Sequence, residues 1–161
     1  MKKLIVMAVI AILAISFAFA QDDAVKMDAG LRGGIRSGIT ARYFMSEDNC
    51  IEALFTTYSW SGIILTGLYE FQKPLDVFEG AEGISWFYGG GVHVGHYKLG
   101  SYYYRNDLAL GLNGIVGVEY DLEQHFDYPL SVSLDWKPAF DILGGWAGNL
   151  ADVALSLRYR F

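Results

Sequence analysis

Apolar and polar residues alternate along most of this chain. Between residues 108 and 122, Leu108, Leu110, Leu112, Gly114, Val116, Val118, Tyr120 and Leu122 share one side, while Ala109, Gly111, Asn113, Ile115, Gly117, Glu119 and Asp121 share the other. Such a period of two belongs to a strand, whose successive side chains point to opposite faces. Leu130, Val132, Leu134 and Trp136 alternate with Ser131, Ser133, Asp135 and Lys137, and Trp86, Tyr88, Val92 and Val94 alternate with Ser85, Phe87, His93 and three glycines. Helix-period stripes are absent. The pattern predicts strands over about seven segments, 28–44, 49–59, 62–73, 84–98, 108–122, 129–138 and 151–161.

Residues 1–20 break the pattern. Lys2 and Lys3 precede an apolar stretch over 4–17, and Ala18-Phe19-Ala20 forms a small-residue cleavage site, the layout of a secretory signal peptide. An uncleaved anchor is the alternative, but the apolar run is short for a span of about 20 residues. The expected organisation is therefore a signal peptide over 1–20 and one domain over 21–161.

The 161-residue chain carries 12 Lys plus Arg against 18 Asp plus Glu, a formal charge of -6, and losing Lys2 and Lys3 makes the remainder more acidic still. An acidic balance argues against nucleic acid as a partner. Cys50 is the single cysteine, so an exported fold of this sequence has no internal disulfide to hold it. Cys50 itself is expected to be a small half-buried side chain. All 19 glycines follow the leader, close to twice the usual ~7%.

Alternation suits two architectures. A soluble sandwich hides its apolar face and shows Lys, Glu and Thr to water, whereas a membrane barrel shows the apolar face to lipid and turns the polar face inward. Here the polar face is rich in glycine and in charges of both signs: Arg32, Arg36, Arg42, Lys137, Arg158 and Arg160 against Glu52, Glu70, Glu119, Asp121, Asp135 and Asp141. That composition fits a lumenal salt-bridge network.

At the C-terminus, Val153, Leu155, Leu157, Tyr159 and Phe161 alternate with Ala154, Ser156, Arg158 and Arg160. This ending resembles the C-terminal signature of Gram-negative outer-membrane β-barrels, and the whole pattern resembles the OmpA/OmpX-type small barrels and similar short barrels of Bacteroidetes. The resemblance implies an all-β fold: a single antiparallel transmembrane β-barrel in the cell outer membrane, in contact with outer-membrane lipid. It further implies that Val153, Leu155, Leu157, Tyr159 and Phe161 act as an assembly signal read by the barrel-assembly machinery. Length favours eight strands. The eighth is expected either from a split of the first segment near Gly33-Gly34 or from residues 139–146. Trp60-Ser61-Gly62 reads as a tight turn, and 73–83, 98–107 and 141–150 read as longer excursions. The Tyr102-Tyr103-Tyr104-Arg105 run reads as interfacial girdle or strand extension.

Catalytic chemistry finds little support. His93 is placed inward, His96 outward and His125 in an acidic connection, with no Ser/His/Asp constellation at any useful spacing. His93 with Glu119 or Asp135 reads as a satisfied polar contact. One Cys and three scattered His supply no metal-ligand spacing, and Gly89-Gly90-Gly91 lies inside a strand without the Lys-Ser/Thr of a phosphate loop. No cofactor or metal is expected. The leading expectation is a non-enzymatic barrel with a side-chain-filled lumen and a structural or surface-interaction role. A small pore or carrier for solutes or apolar ligands is the alternative, for which the inward glycines 89, 91, 95, 111 and 117 leave room, and a lipid-modifying enzyme comes third.

Overall fold

The computed structural model describes residues 27–57, 62–75, 83–98, 106–126, 128–143 and 148–161. The leader and the Tyr102-Tyr103-Tyr104-Arg105 run lie outside these residues. Ten strand pieces follow in chain order: β1(Met27–Gly34), β2(Ser37–Phe44), β3(Asn49–Thr57), β4(Gly62–Pro74), β5(Ile84–Lys98), β6(Asn106–Asp121), β7(Leu130–Trp136), β8(Ala139–Leu143), β9(Gly148–Asn149) and β10(Val153–Arg160). One helical turn, α1(Glu123–Phe126), sits between β6 and β7.

All pairings are antiparallel, and the ring β1-β2-β3-β4-β5-β6-β7-β10 closes through β10 against β1. This is an eight-stranded barrel, because β8 continues β7 and β9 continues β10. β6 pairs with β7 over residues 116–121 and with β8 over 110–113, and the two residues between, Lys137 and Pro138, include one with no N–H to donate. On the neighbouring strand three residues, Leu150 to Asp152, span the same gap between Asn149 and Val153. That extra residue is a β-bulge, and it leaves Leu150 and Ala151 exposed while Asp152 is buried.

The eighth strand arises from the first of the two expected sources. A bend at Ile35 and Arg36 separates β1 from β2, held by the Ser37 hydroxyl, which donates to Gly34 O at 3.1 Å and accepts from Gly34 N–H at 3.3 Å. Splitting here also settles the parity of the connections. β2 ends and β3 begins, β4 ends and β5 begins, and β6 ends and β7 begins at the end where β1 starts and β10 finishes, with Phe161 N–H donating to Met27 O at 2.9 Å. The bend at residues 35–36 lies at the opposite end, where β3, β5 and β8 finish and β4, β6 and β9 begin. The excursion expected over 141–150 is thereby corrected, because β8 runs to Leu143 and β9 begins at Gly148.

Side chains sort by parity. Outward positions include Leu31, Ile51, Leu65, Leu112, Val118, Leu134 and Leu155, all exposed, so the outer wall is apolar. Aromatic residues concentrate on that wall toward the terminal end: Tyr69, Phe71, Tyr88 and Trp86 form a continuous ladder across β4 and β5, and Tyr159 meets Phe161 edge to face. Among the described residues no helix is long and apolar enough to cross a membrane. Inward glycines let the strands approach closely, for a methyl group on Gly91 would collide with the carbonyl oxygen of Gly67.

Candidate functional site

The barrel interior is where polar chemistry collects. At its centre Arg42 on β2 donates through Nη1 to Glu119 Oε2 at 2.6 Å, and its Nε lies 3.6 Å from Glu52 and 3.4 Å from Glu70. Arg158 on β10 reaches Glu52 at 2.7 Å and Glu119 at 3.3 Å, and donates to Ser133 Oγ at 2.6 Å. Two arginines thus share three carboxylates from β3, β4 and β6. The Thr40 hydroxyl donates to Glu52 and accepts from Arg158 Nε, so its single oxygen joins the two ions.

A second group lies toward the end opposite the termini. Arg32 donates to Asp135 at 2.6 Å, while Lys137 Nζ and Arg32 Nη2 share Asp152 at 3.0 and 3.9 Å. Arg36 is buried in the same half of the barrel, and no ion pair joins it to a described carboxylate. His93 sits between Asn113 Oδ1 at 2.6 Å and Asp141 Oδ1 at 2.8 Å. Its partners are therefore these two residues and not Glu119 or Asp135, because register pairs His93 with Gly111, and Gly111 in turn lies opposite Asp141.

The third group forms the mouth at the terminal end. Arg160, with its side chain 27% exposed, spans Asp28, Asp121 and Glu123. An open cavity of about 840 Å³ lies there, lined among others by Glu47, Asp48, Lys73, Glu119, Asp121 and Arg160. Its floor is made by Gln72, whose amide donates to Glu119 Oε1 at 3.1 Å and to Ser85 Oγ at 2.7 Å.

The fold is shared with a solved barrel. The crystal structure of the N-terminal β-barrel domain of Pseudomonas aeruginosa OprF superposes with a TM-score of 0.63 over 85% of this chain and 96% of that one, at 13% identity. The expected OmpA/OmpX-type eight-stranded architecture is thus the observed one. The sequence matches no protein-family model and no curated protein.

Several interior residues escaped the sequence reading. Asp152 and Asp28, the partners of Lys137 and Arg160, fall at a bulge and at the first residues of β1, where alternation gives little warning. Leu54, Leu68, Phe87 and Ile115 form a buried apolar cluster inside the barrel, and the Arg42 guanidinium lies 4.6 Å from the Phe87 ring centroid, a cation–π arrangement. Phe87 was legible as an inward residue, but its large ring needs the missing side chain of Gly117, whose Cβ position would meet Phe87 Cζ. His93 fills the space at Gly111 in the same way. Cys50 is fully buried beside Glu70, with Sγ 3.6 Å from Oε2, rather than half-buried among apolar groups. His96 is exposed on the outer wall. Among the described residues no group of three or more His, Cys, Asp or Glu is placed to hold a metal ion.

Proposed function

We propose that this chain is a non-enzymatic barrel of the cell outer membrane whose interior is closed by its own side chains, with a structural or surface-interaction role. The observation that carries this reading is the central layer of Arg42, Arg158, Glu52, Glu70 and Glu119, which ties strands that are not neighbours in the ring through Arg42–Glu119 at 2.6 Å and Arg158–Glu52 at 2.7 Å. An eight-stranded interior is just wide enough for side chains to fill. Two of the glycines that leave room on paper, Gly111 and Gly117, face His93 and Phe87, which supports closure over an open channel. The apolar outer wall suits lipid, and closure of the ring removes the unpaired strand edges that lipid cannot satisfy. The terminal strand, with Val153, Leu155, Leu157, Tyr159 and Phe161 outward, is assigned the role of assembly signal for the insertion machinery.

The cavity at the terminal mouth favours one second reading, a carrier or narrow pore. Planar bilayers separate the two. A silent bilayer with correctly folded wild-type protein is expected; steady conductance at moderate voltage, altered by Glu119→Gln, would replace the closed barrel with the pore.

A further inference from the structure

On the outer wall, side chains of unequal height stand in rows across three strands. Val118 on β6 lies between Trp86 on β5 and Leu134 on β7, and Val116 lies between Tyr88 and Trp136. Short residues flanked by tall ones make a groove along β6, an open cavity of about 450 Å³ lined among others by Leu75, Trp86, Val116, Val118, Leu134 and Trp136. Further along the same strand Gly114 faces Gly90, so the floor continues without side chains. From Gly114 to Val118 the strand rises about 14 Å, close to one leaflet of a hydrocarbon core about 30 Å thick. β5 and β7 stand about 10 Å apart across it, which leaves room for one hydrocarbon chain between their side chains. Toward the terminal end the groove meets charge. Lys73 is the register partner of Trp86 and shares the outward parity of Tyr69 and Phe71. It also borders the mouth cavity together with Glu47 and Asp48, and the Asp48 carbonyl accepts from Gln72 N–H at 2.8 Å, which holds that turn beside β4. Among the described residues none of Lys73, Glu47 and Asp48 has an ion-pair partner.

We infer that the groove and this rim together hold one ethanolamine phospholipid, with an acyl chain along Val116 and Val118 and the headgroup at Lys73. An apolar groove that ends on an ammonium and two carboxylates is complementary to an amphiphile whose head carries both signs. The groove lining suits the chain. The Lys73 ammonium matches the phosphate, and Glu47 and Asp48 can accept hydrogen bonds from the primary amine. A choline head has no N–H to donate. A purely anionic head would meet two carboxylates for one ammonium, so the charges favour ethanolamine over both. The site presupposes the lipid-facing wall proposed above and adds to it one preferred lipid at a fixed place.

Native mass spectrometry of the chain folded in a neutral detergent, with phosphatidylethanolamine, phosphatidylcholine or phosphatidylglycerol added in turn, tests this. One phosphatidylethanolamine retained per chain is expected, in preference to the other two lipids. Val118→Trp, which fills the groove from a wall position, should weaken retention about tenfold or more. Lys73→Gln should abolish the preference for ethanolamine, and Leu65→Trp, on the outer wall of β4 outside the groove, should change neither. Equal retention of all three lipids, no retained lipid, or wild-type retention in Val118→Trp overturns the site. A dimer of the chain that Val118→Trp disrupts assigns the groove to a second copy and overturns it too. Heat-modifiable migration reports folding of each variant, and should Val118→Trp not fold, an ethanolamine preference unchanged in Lys73→Gln overturns the site by itself. Recovery of the wild type as a water-soluble monomer is a separate outcome, which removes the lipid-facing wall and the site with it.

Discussion

Arg42 and Glu119 meet at 2.6 Å across the full width of the barrel. Their strands, β2 and β6, are diametrically opposed in the eight-membered ring, so no backbone hydrogen bond links them and the ion pair is the direct tie. Arg158 and Glu52 add a second tie, from β10 to β3. A charged layer that reaches across the interior makes each wall a partner of the other.

Removing one member of this layer is expected to be costly. Arg42→Met leaves Glu70 without its cation and Glu119 with only Arg158, and breaking a buried pair typically costs about 3 to 5 kcal/mol. The urea midpoint for loss of heat-modifiable migration should fall accordingly. Arg42→Met combined with Glu70→Gln should recover part of the loss, because Glu70 is then no longer a buried charge without its cation. An Arg42→Met midpoint equal to wild type would show that the pair contributes nothing.

The terminal strand should matter more for assembly than for stability. Tyr159 and Phe161 both lie on the outer wall, their ring centroids 5.0 Å apart. Deleting Phe161, or Tyr159→Asp, is expected to lower the amount recovered in the outer-membrane fraction. The same variants refolded in detergent should lose only about 0 to 1 kcal/mol, the range for charge near the interface. Wild-type outer-membrane levels of both variants would sink the assembly role.

Depth in the apolar wall should set the cost of a charge there. Leu112 lies near the middle of β6 and is 51% exposed. Leu112→Arg should cost roughly 2 to 4 kcal/mol in bilayer refolding titrations, as expected at the midplane. The same change refolded in water-filled surroundings has no such penalty, so a soluble domain would tolerate it.

Close strand approach makes particular glycines irreplaceable. Gly91→Val places a branched side chain against the Gly67 carbonyl, where backbone rather than a flexible side chain must move. A loss of about 1 to 3 kcal/mol is expected from such overpacking. Gly67→Ala is the contrast, since nothing lies near its Cβ position, and its refolding midpoint should match wild type within error.

Alternation alone determined most of the strands and both faces of the wall. Over Leu108 to Leu122 and Val153 to Phe161 alternation sorts Leu112 from Glu119 and Leu157 from Arg158 onto opposite faces, as a sandwich or a barrel would, and it is the glycine and two-signed charge of the polar face that point to a lumen. The strand parity that put Arg32, Arg42, Glu52, Glu70, Glu119, Asp135 and Arg158 inward is a local property, and all of them are buried. What local pattern does not contain is distance between strands. That Arg42 meets Glu119, that His93 meets Asp141 and that Lys137 meets Asp152 follow from ring closure and from the extra residue before Val153. The bend at Ile35 and Arg36 was legible only as a glycine pair within one long alternating run. Tertiary structure decided that it was a turn, because closing the ring with both termini at one end requires an even number of strands, and only a reversal there supplies the eighth.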